Sequence, residues 1–346
     1  MNSSLFKGQF ADTSVRRIVL CRLGGIGDVI QTLPLVKYLK KKYQEATIEY
    51  ITSEDVADLL TRHCDFIDKV WVFDKNKKKQ LAKEILESEN KIDYFFNLHS
   101  SLSFFFFNLF YIKAKNFFQY KKKSDLHAVI NFARTYDPEI SMFNLESNTL
   151  CVNNSKDILS QYLLKEGRYF CFVIGVGDVR PHRAWKFENW INLAKKFLYS
   201  KKDFKVVFLG GNHEEKIFEN QIKLVKDINN DRIINLLGKL SLSEVAQIIS
   251  KSTGLVSCDT GLLHLASALS IRVIGLYGPT LSKRSGPFTN DYKVFEAKDC
   301  ECICGFKDLK VCKKNKSSIS TSSTSGFCMD SIIVSDVFEF FKCYYN

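Results

Sequence analysis

Long apolar runs are missing from this chain. Its most apolar stretch, Leu102–Ile112 (LSFFFFNLFYI), has about half of the roughly 20 residues that a helix needs to span a bilayer. The first 17 residues also lack the apolar segment of a secretory signal. Together these absences predict a cytoplasmic protein without a transmembrane helix, in a compartment that keeps thiols reduced.

Paired Cys-x2-Cys knuckles, the usual framework of a zinc ribbon, are also absent. The chain nevertheless has eleven cysteines, and six of them are scattered, several in apolar runs where unpaired thiols are expected: Cys21, Cys64, Cys151, Cys171, Cys258 and Cys343. The other five lie close together: Cys300, Cys302, Cys304, Cys312 and Cys328. The spacing of these five favours unpaired thiols, and a structural metal site or a disulfide is the alternative.

Acidic residues are outnumbered, with 38 Asp and Glu against 50 Lys and Arg, so the formal net charge is +12. A positive field favours anionic partners such as nucleotides, phosphorylated sugars, phospholipids or nucleic acid. The alternative is a lysine-rich composition that has no bearing on function. Because no recognised nucleic-acid motif accompanies the basic residues, nucleic acid is not expected as a partner.

Segments with strand and helix character alternate along the chain, which predicts α/β domains with parallel sheets. The 346 residues have the length of two such domains, and a less patterned region at residues 135–167 separates them. We predict an N-terminal domain at residues 1–150 and a C-terminal domain at residues 151–346. One of only five prolines, Pro34, falls within a predicted helix at Val29–Tyr43 and is expected to bend or restart it.

A glycine-rich turn, Gly24-Gly25-Ile26-Gly27-Asp28, follows the first predicted strand. Glycine lets a backbone approach a ligand closely, but the three-glycine dinucleotide fingerprint is incomplete, which argues against a dehydrogenase. Asp28 is expected near the amides of a helix start, which keep a carboxylate ionised. It can act there as a general base on a hydroxyl nucleophile, or it can merely cap the helix. The sequence leaves both roles open.

Turns also follow predicted strands in the second half of the chain. At Asp259-Thr260-Gly261, the amides of the next helix and the Thr260 hydroxyl are expected to form an anion site, with Asp259 as N-cap and His264 placed to donate to a phosphate. Gly278 lies in another strand-end turn, where ligands of parallel sheets bind. Arg183 follows a third such turn, and a cation there can stabilise a diphosphate leaving group. A solvated basic loop is the alternative for Arg183.

These motifs resemble those of glycosyltransferase family 9, the ADP-heptose:lipopolysaccharide heptosyltransferase family. GGIGDVIQTLP at residues 24–34 is similar to the opening of that family. SCDTGLLHLASAL at residues 257–269, followed by IGLYGPT, is similar to its second-domain signature. The two matches lie about 230 residues apart in the expected order, and the resemblance extends over roughly residues 16–340.

The resemblance implies a GT-B architecture, with two facing Rossmann-like domains that bind the acceptor (N-terminal) and the nucleotide-sugar donor (C-terminal). It implies metal-independent transfer of heptose, with inversion, from ADP-L-glycero-β-D-manno-heptose to a lipopolysaccharide inner-core acceptor, without a cofactor. By motif position, Asp28 is the catalytic base, and Gly25 and Gly27 belong to an acceptor-side loop. The implied donor-site residues are Arg183 (usually lysine in the family), Thr260, Gly261, His264, Gly278 and Glu215, for which Glu214 is the alternative.

Two other functions stay open within the same family. One is a protein O-heptosyltransferase, and the other is a non-catalytic relative that only binds a nucleotide. The carboxylate at Asp28 argues against the non-catalytic relative, because simple nucleotide binding needs no base.

Residues 94–124 contain twelve aromatic residues and five lysines but no acidic residue. Part of this stretch is expected to lie in a core. Lysines beside aromatic residues, as at Lys121–Lys123, also suit an anionic glycolipid acceptor or peripheral contact with the cytoplasmic face of an inner membrane.

Overall fold

The computed structural model describes residues 14–87, 91–123, 125–153, 156–177, 181–222, 230–297 and 327–344. The chain divides into two compact units. The first comprises Met1–Gly24, Thr32–Lys122 and Val129–Glu146. The second comprises Gly25–Gln31, Lys123–Ala128 and Ser147–Asn346. Two short segments from the N-terminal half of the chain therefore belong to the second unit.

The first unit is built on a five-stranded parallel sheet with strand order β3-β2-β1-β4-β5. Its strands are β1 Arg17–Cys21, β2 Thr47–Thr52, β3 Lys69–Val72, β4 Tyr94–Asn97 and β5 Asn116–Gln119. Its helices are α2 Leu33–Lys42, α3 Glu54–His63, α4 Lys78–Leu86, α5 Ser103–Phe107, which continues as a π-helix over Asn108–Ile112, and most of α6 Ala128–Ala133. The central strand β1 (RIVLC) is buried along its whole length, as expected for a parallel strand covered on both faces.

The helix predicted at Val29–Tyr43 is in fact two helices, α1 Ile26–Ile30 and α2 Leu33–Lys42. Thr32 is the N-cap of α2 and Pro34 lies in its first turn, where a missing backbone N–H is tolerated. The restart predicted from Pro34 is confirmed. Because α1 is part of the second unit and α2 part of the first, the chain passes between units at this break.

The second unit is built on a six-stranded parallel sheet with strand order β11-β10-β9-β6-β7-β8. Its strands are β6 Tyr169–Val173, β7 Lys205–Leu209, β8 Ile233–Asn235, β9 Gly254–Cys258, β10 Val273–Tyr277 and β11 Tyr292–Glu296. Its helices are α1, α7 Lys156–Gln161, α8 Phe187–Ser200, α9 Asn212–Ile222, α10 Leu242–Ser250, α11 Gly261–Ala268, α12 Ser282–Ser285 and α13 Val334–Tyr344.

Both sheets have the doubly wound arrangement, so the predicted α/β class with parallel sheets is confirmed. In the second sheet the strand order reverses between β6 and β9. Ligands of such sheets bind beyond the carboxyl ends of the strands at this reversal. The loops after β6 and β9, which contain Arg183 and Asp259-Thr260-Gly261, are therefore the ones that the topology brings to a binding position. No helix in the described ranges has the length and apolar character needed to cross a membrane.

Candidate active site

Asp28 lies in the first turn of α1, with its side chain exposed. The N-cap of this helix is Gly25, and the Asp28 amide donates to the Gly25 carbonyl at 2.9 Å. The alternative that Asp28 is itself the N-cap is therefore wrong. Its carboxylate is exposed in the first turn of α1.

Two glycines let α1 pack closely against α11. A Cβ atom on Gly27 would lie 2.8 Å from Cδ2 of His264, and one on Gly261 would lie 2.9 Å from Cβ of Ile26. Real Cβ atoms essentially never approach other atoms so closely. The glycine-rich turn therefore packs closely against the D-T-G turn, although the two are about 230 residues apart in sequence. Gly25, in contrast, has open space around the position of a Cβ.

His264 is buried on α11, with 6% of its surface exposed. Nε2 of Gln31 lies 3.5 Å from its Nδ1, and Oδ1 of Asp259 lies 3.8 Å from its Nε2. Burial lowers the pKa of His264, although Asp259 and Asp28 act in the opposite direction. With its pKa below the usual value, the imidazole is neutral at neutral pH, so His264 can donate to a phosphate as a neutral N–H group.

Asp259 is buried and holds Arg183. The Nη1 atom of Arg183 lies 3.1 Å from Oδ2 of Asp259 and donates to the Asp259 carbonyl at 3.2 Å. The Ser285 hydroxyl donates to the same carboxylate at 3.3 Å. The prediction that Asp259 is an N-cap is wrong, because Thr260 is the N-cap of α11. The Asp259 carboxylate is engaged by the guanidinium instead, which places that cation at the start of α11.

The start of α11 contains Thr260 and Gly261. The Thr260 hydroxyl lies 3.0 Å from the Ser257 hydroxyl, and the Thr260 side chain makes no capping hydrogen bond to the described first turn. A helix start of this kind offers backbone N–H groups and the positive end of the helix dipole to an anion. Together with the Arg183 guanidinium and the neutral His264 imidazole, it forms a compact set of donors.

Glu214 and Glu215 point to different partners. The Glu214 carboxylate accepts a hydrogen bond from the Gly211 amide at 2.9 Å and lies beside Gly175, which follows β6. Glu215 lies 3.8 Å from Nζ of Lys239. Glu214 is therefore the one nearer the loop after β6, at the strand reversal.

Gly278, predicted as a donor-site residue, has a packing role. A Cβ atom at this position would lie 3.0 Å from Sγ of Cys328. Cys328 and Met329 are buried in the apolar core of the second unit. The other four clustered cysteines, Cys300, Cys302, Cys304 and Cys312, lie outside the described residues. Among the residues that the structure does describe, no three His, Cys, Asp or Glu side chains are grouped as a metal site would require.

The family model for glycosyltransferase family 9 (heptosyltransferase) matches residues 144–316, which is half of the chain. The chain belongs to this family. The match covers the Arg183 loop and the D-T-G turn but not Asp28, whose assignment depends on its own motif and on the contact between α1 and α11. As a member of family 9, the protein is a glycosyltransferase.

Individual relatives agree with the family assignment. Lipopolysaccharide heptosyltransferase 1 of Campylobacter coli is 24% identical over 309 residues, which are 81% of this chain and 89% of that protein. The structure of Escherichia coli ADP-heptose LPS heptosyltransferase II has a TM-score of 0.76 at 17% identity and covers 95% of this chain and 98% of its own. The structure of E. coli heptosyltransferase WaaC with ADP has a TM-score of 0.65 at 18% identity and covers 94% of this chain and 99% of its own. This family 9 chain therefore has the GT-B fold of heptosyltransferases.

Three residues at the family 9 site had no signal in the sequence. Gln31 contacts His264, and Ser285 contacts Asp259. His127 is half-buried near His264, with its Nε2 atom 3.2 Å from the Gly286 carbonyl, and desolvation lowers its pKa to about 4. Gln31 lies within the motif at residues 24–34, but neither it nor a histidine or serine outside any motif gives a sign of its spatial neighbours, so only the folded chain identifies these contacts.

Proposed function

We propose that this family 9 chain transfers heptose from ADP-L-glycero-β-D-manno-heptose to an inner-core sugar of lipopolysaccharide, with inversion of the anomeric centre. The observation that carries the proposal is the packing of α1 on α11 through Gly27 and Gly261. This packing supports the proposal because the first turns of α1 and α11, with Asp28 and Thr260-Gly261, then lie close together. The heptosyltransferase relatives, one of them solved with ADP, support this choice of donor.

The leaving group is the diphosphate of ADP, and its charge grows as the bond to the sugar breaks. Arg183 would bind that charge while Asp259, which accepts a hydrogen bond from Ser285, holds the guanidinium in place. The backbone N–H groups of Thr260 and Gly261 and the neutral imidazole of His264 would add hydrogen bonds. Groups fixed in advance where charge develops lower a reaction barrier most effectively.

Asp28 would remove the proton from the acceptor hydroxyl as its oxygen attacks the anomeric carbon. An inverting transfer requires attack on the face opposite the leaving group, so the base and the diphosphate donors must lie on opposite sides of that carbon. In this proposal the carboxylate of α1 and the donors of α11 occupy those two sides. Glu214 and Glu215 are the candidates for contacts with the donor's sugar or ribose, and parallel Gln substitutions would separate them.

The proposal requires no metal, because Arg183 and the start of α11 neutralise the diphosphate. The acceptor is an anionic glycolipid, so the reaction would take place at the cytoplasmic face of the inner membrane. The alternatives are a protein acceptor and nucleotide binding without catalysis. The relatives named for lipopolysaccharide synthesis favour the glycolipid.

The decisive experiment replaces Asp28 by Asn, which is nearly isosteric. We expect kcat to fall by roughly two to four decades, the usual contribution of a positioned base, while the Kd for ADP stays unchanged. Turnover of ADP-heptose with a lipopolysaccharide core acceptor and calorimetric titration with ADP measure the two quantities.

Asp55→Asn is the matched control, because Asp55 is also an exposed aspartate in the first turn of a helix, α3. It should leave kcat unchanged. Wild-type turnover by the Asp28→Asn variant would remove this residue from the mechanism. ADP binding without turnover of any acceptor by the wild-type protein would favour the non-catalytic alternative.

A further inference from the structure

The helix formed by α5 and the π-helix has an apolar face directed to solvent. Five large side chains on it are exposed: Leu102, Phe105, Phe106, Leu109 and Phe110. Their spacing, i, i+3, i+4, i+7 and i+8, is that of a single helical stripe. We call these five residues the apolar ridge. Phe110, the most exposed of them, has 64% of its surface exposed.

The apolar ridge is not needed for the core of the first unit. The opposite face of the same helix already supplies that core through Phe104, Phe107 and Ile112, which are almost wholly buried. Five exposed large apolar residues on one stripe form a contiguous patch, and patches of this kind on soluble proteins mark interaction sites.

The buried Asn108 side chain stabilises the end of the π-helix. The Asn108 carbonyl accepts a hydrogen bond from the Lys113 amide at 2.7 Å, and its side-chain oxygen accepts one from the Ala114 amide at 3.1 Å. Lys113 takes a left-handed conformation, with φ of 54°, and ends the helix. The chain thus fixes the orientation of Leu109 and Phe110 at the far end of the apolar ridge.

The chain that directly follows the apolar ridge is basic. Lys113 and Lys115 follow the helix directly and are exposed, and Lys121 is exposed after the edge strand β5. No acidic residue occurs between Tyr94 and Ser124. An apolar helix face bordered by lysines is complementary to an anionic lipid surface, where the side chains enter the headgroup region and the lysines meet phosphates.

We propose that the apolar ridge inserts into the surface of an anionic phospholipid bilayer. This deepens the proposed function, since it names the surface by which the enzyme would meet an acceptor anchored in a membrane. The lysines argue against pairing of two copies through this face, because like charges would then be brought together.

Binding to phospholipid vesicles tests this inference without donor or acceptor. Wild-type protein should cosediment with vesicles of phosphatidylcholine and phosphatidylglycerol, bind pure phosphatidylcholine more weakly, and lose affinity as salt is added. The Phe106→Ser/Phe110→Ser variant should bind at least about tenfold more weakly, because two apolar side chains no longer leave water. Lys113→Gln/Lys115→Gln should weaken binding to the anionic vesicles by about fivefold per lysine.

Leu163→Ser/Tyr199→Ser is the matched control, since both residues are exposed apolar side chains away from the apolar ridge in the chain. It should bind vesicles like the wild type. Thermal unfolding of each variant shows whether it is folded, and turnover with a detergent-dispersed acceptor should be unchanged by the serine substitutions. Loss of vesicle binding with intact turnover would therefore separate this inference from the proposed function.

Insertion itself can be followed by fluorescence. All three native tryptophans, Trp71, Trp185 and Trp190, are buried. A Phe110→Trp variant therefore places a single exposed tryptophan on the apolar ridge, and brominated lipids should quench it when vesicles bind. Vesicle binding without quenching, no vesicle binding by the wild type, or a dimer that Phe106→Ser/Phe110→Ser converts to a monomer would each overturn the proposal.

Discussion

At the scale of single residues, burial and pairing decide what the site can do. His264 is surrounded by protein, and its pKa is lowered by that burial more than Asp259 and Asp28 restore it. Arg183, by contrast, keeps its charge and has a carboxylate partner in Asp259. Arg183 and His264, both predicted at the donor site, therefore differ in charge, and they should respond differently to substitution and to pH.

Replacing His264 by Ala should lower kcat/KM by a factor that does not change between about pH 7 and pH 9. A group with a lowered pKa is neutral throughout that range, so its contribution as an N–H donor is constant. Activity of the wild type and the variant, measured side by side across this range, tests the expectation. A loss that shrank as pH rose would show that the imidazolium is the active form.

Replacing Arg183 by Ala should reduce kcat/KM by roughly 2–4 kcal/mol in transition-state stabilisation. It should also destabilise the fold by about 3–5 kcal/mol, because Asp259 is then buried without its partner. Arg183→Lys should retain much of the turnover and much of the stability of the fold, since an ammonium keeps the charge. The double variant Arg183→Ala/Asp259→Asn should recover stability in urea unfolding but not turnover. Recovery of turnover as well would show that Arg183 only compensates for Asp259.

At the scale of helices and strands, helix starts that depend on nearby residues could be predicted from the sequence. A helix start that depends on a residue far along the chain could not. Pro34 restarts a helix as predicted, and Ser241 caps α10 in a capping box with Glu244. Both features depend on neighbours within a few residues. Asp259 was expected to cap α11, but Arg183 engages it from 76 residues away. Helix-capping preferences consider only neighbouring residues, so they cannot predict an ion pair with a residue so far along the chain.

The contact between α1 and α11 predicts that Gly27→Ala is severe and Gly25→Ala is mild. A Cβ at Gly27 would meet His264, whereas the same atom at Gly25 meets nothing within 4 Å, and Gly25 has an ordinary φ of −48°. Forcing a methyl group into a close-packed contact costs about 1–3 kcal/mol. Thermal unfolding and turnover of the two variants measure the difference. Equal tolerance of both substitutions would mean that α1 does not rest on α11 in solution.

At the scale of the whole molecule, the alternation of strands and helices was enough to predict two α/β units with parallel sheets. It could not predict that α1 belongs to the second unit, because that depends on packing against α11, far along the chain. The candidate site residues that the sequence predicted, such as Asp28 and Thr260, come from motifs. Gln31, His127 and Ser285 join them only through folding.

ADP should stabilise the protein in the presence of EDTA. In the proposed donor site the start of α11 and Arg183 bind the diphosphate, so ADP at a hundredfold excess over its Kd should raise the unfolding free energy by about 2.7 kcal/mol. Thermal unfolding with ADP, with and without added Mg²⁺, provides the measurement. Stabilisation that appeared only with Mg²⁺ would contradict the metal-independent donor site.

The contact between Gly27 and Gly261 also limits how such enzymes can exchange parts. A hybrid made by joining the N-terminal half of one relative to the C-terminal half of another would combine α1 from one parent with α11 from the other. If either parent had a larger residue at one of these positions, α1 and Asp28 would be displaced in the hybrid, even though each half was intact. A functional hybrid should therefore keep small residues at both positions, or take α1 from the same parent as the C-terminal half.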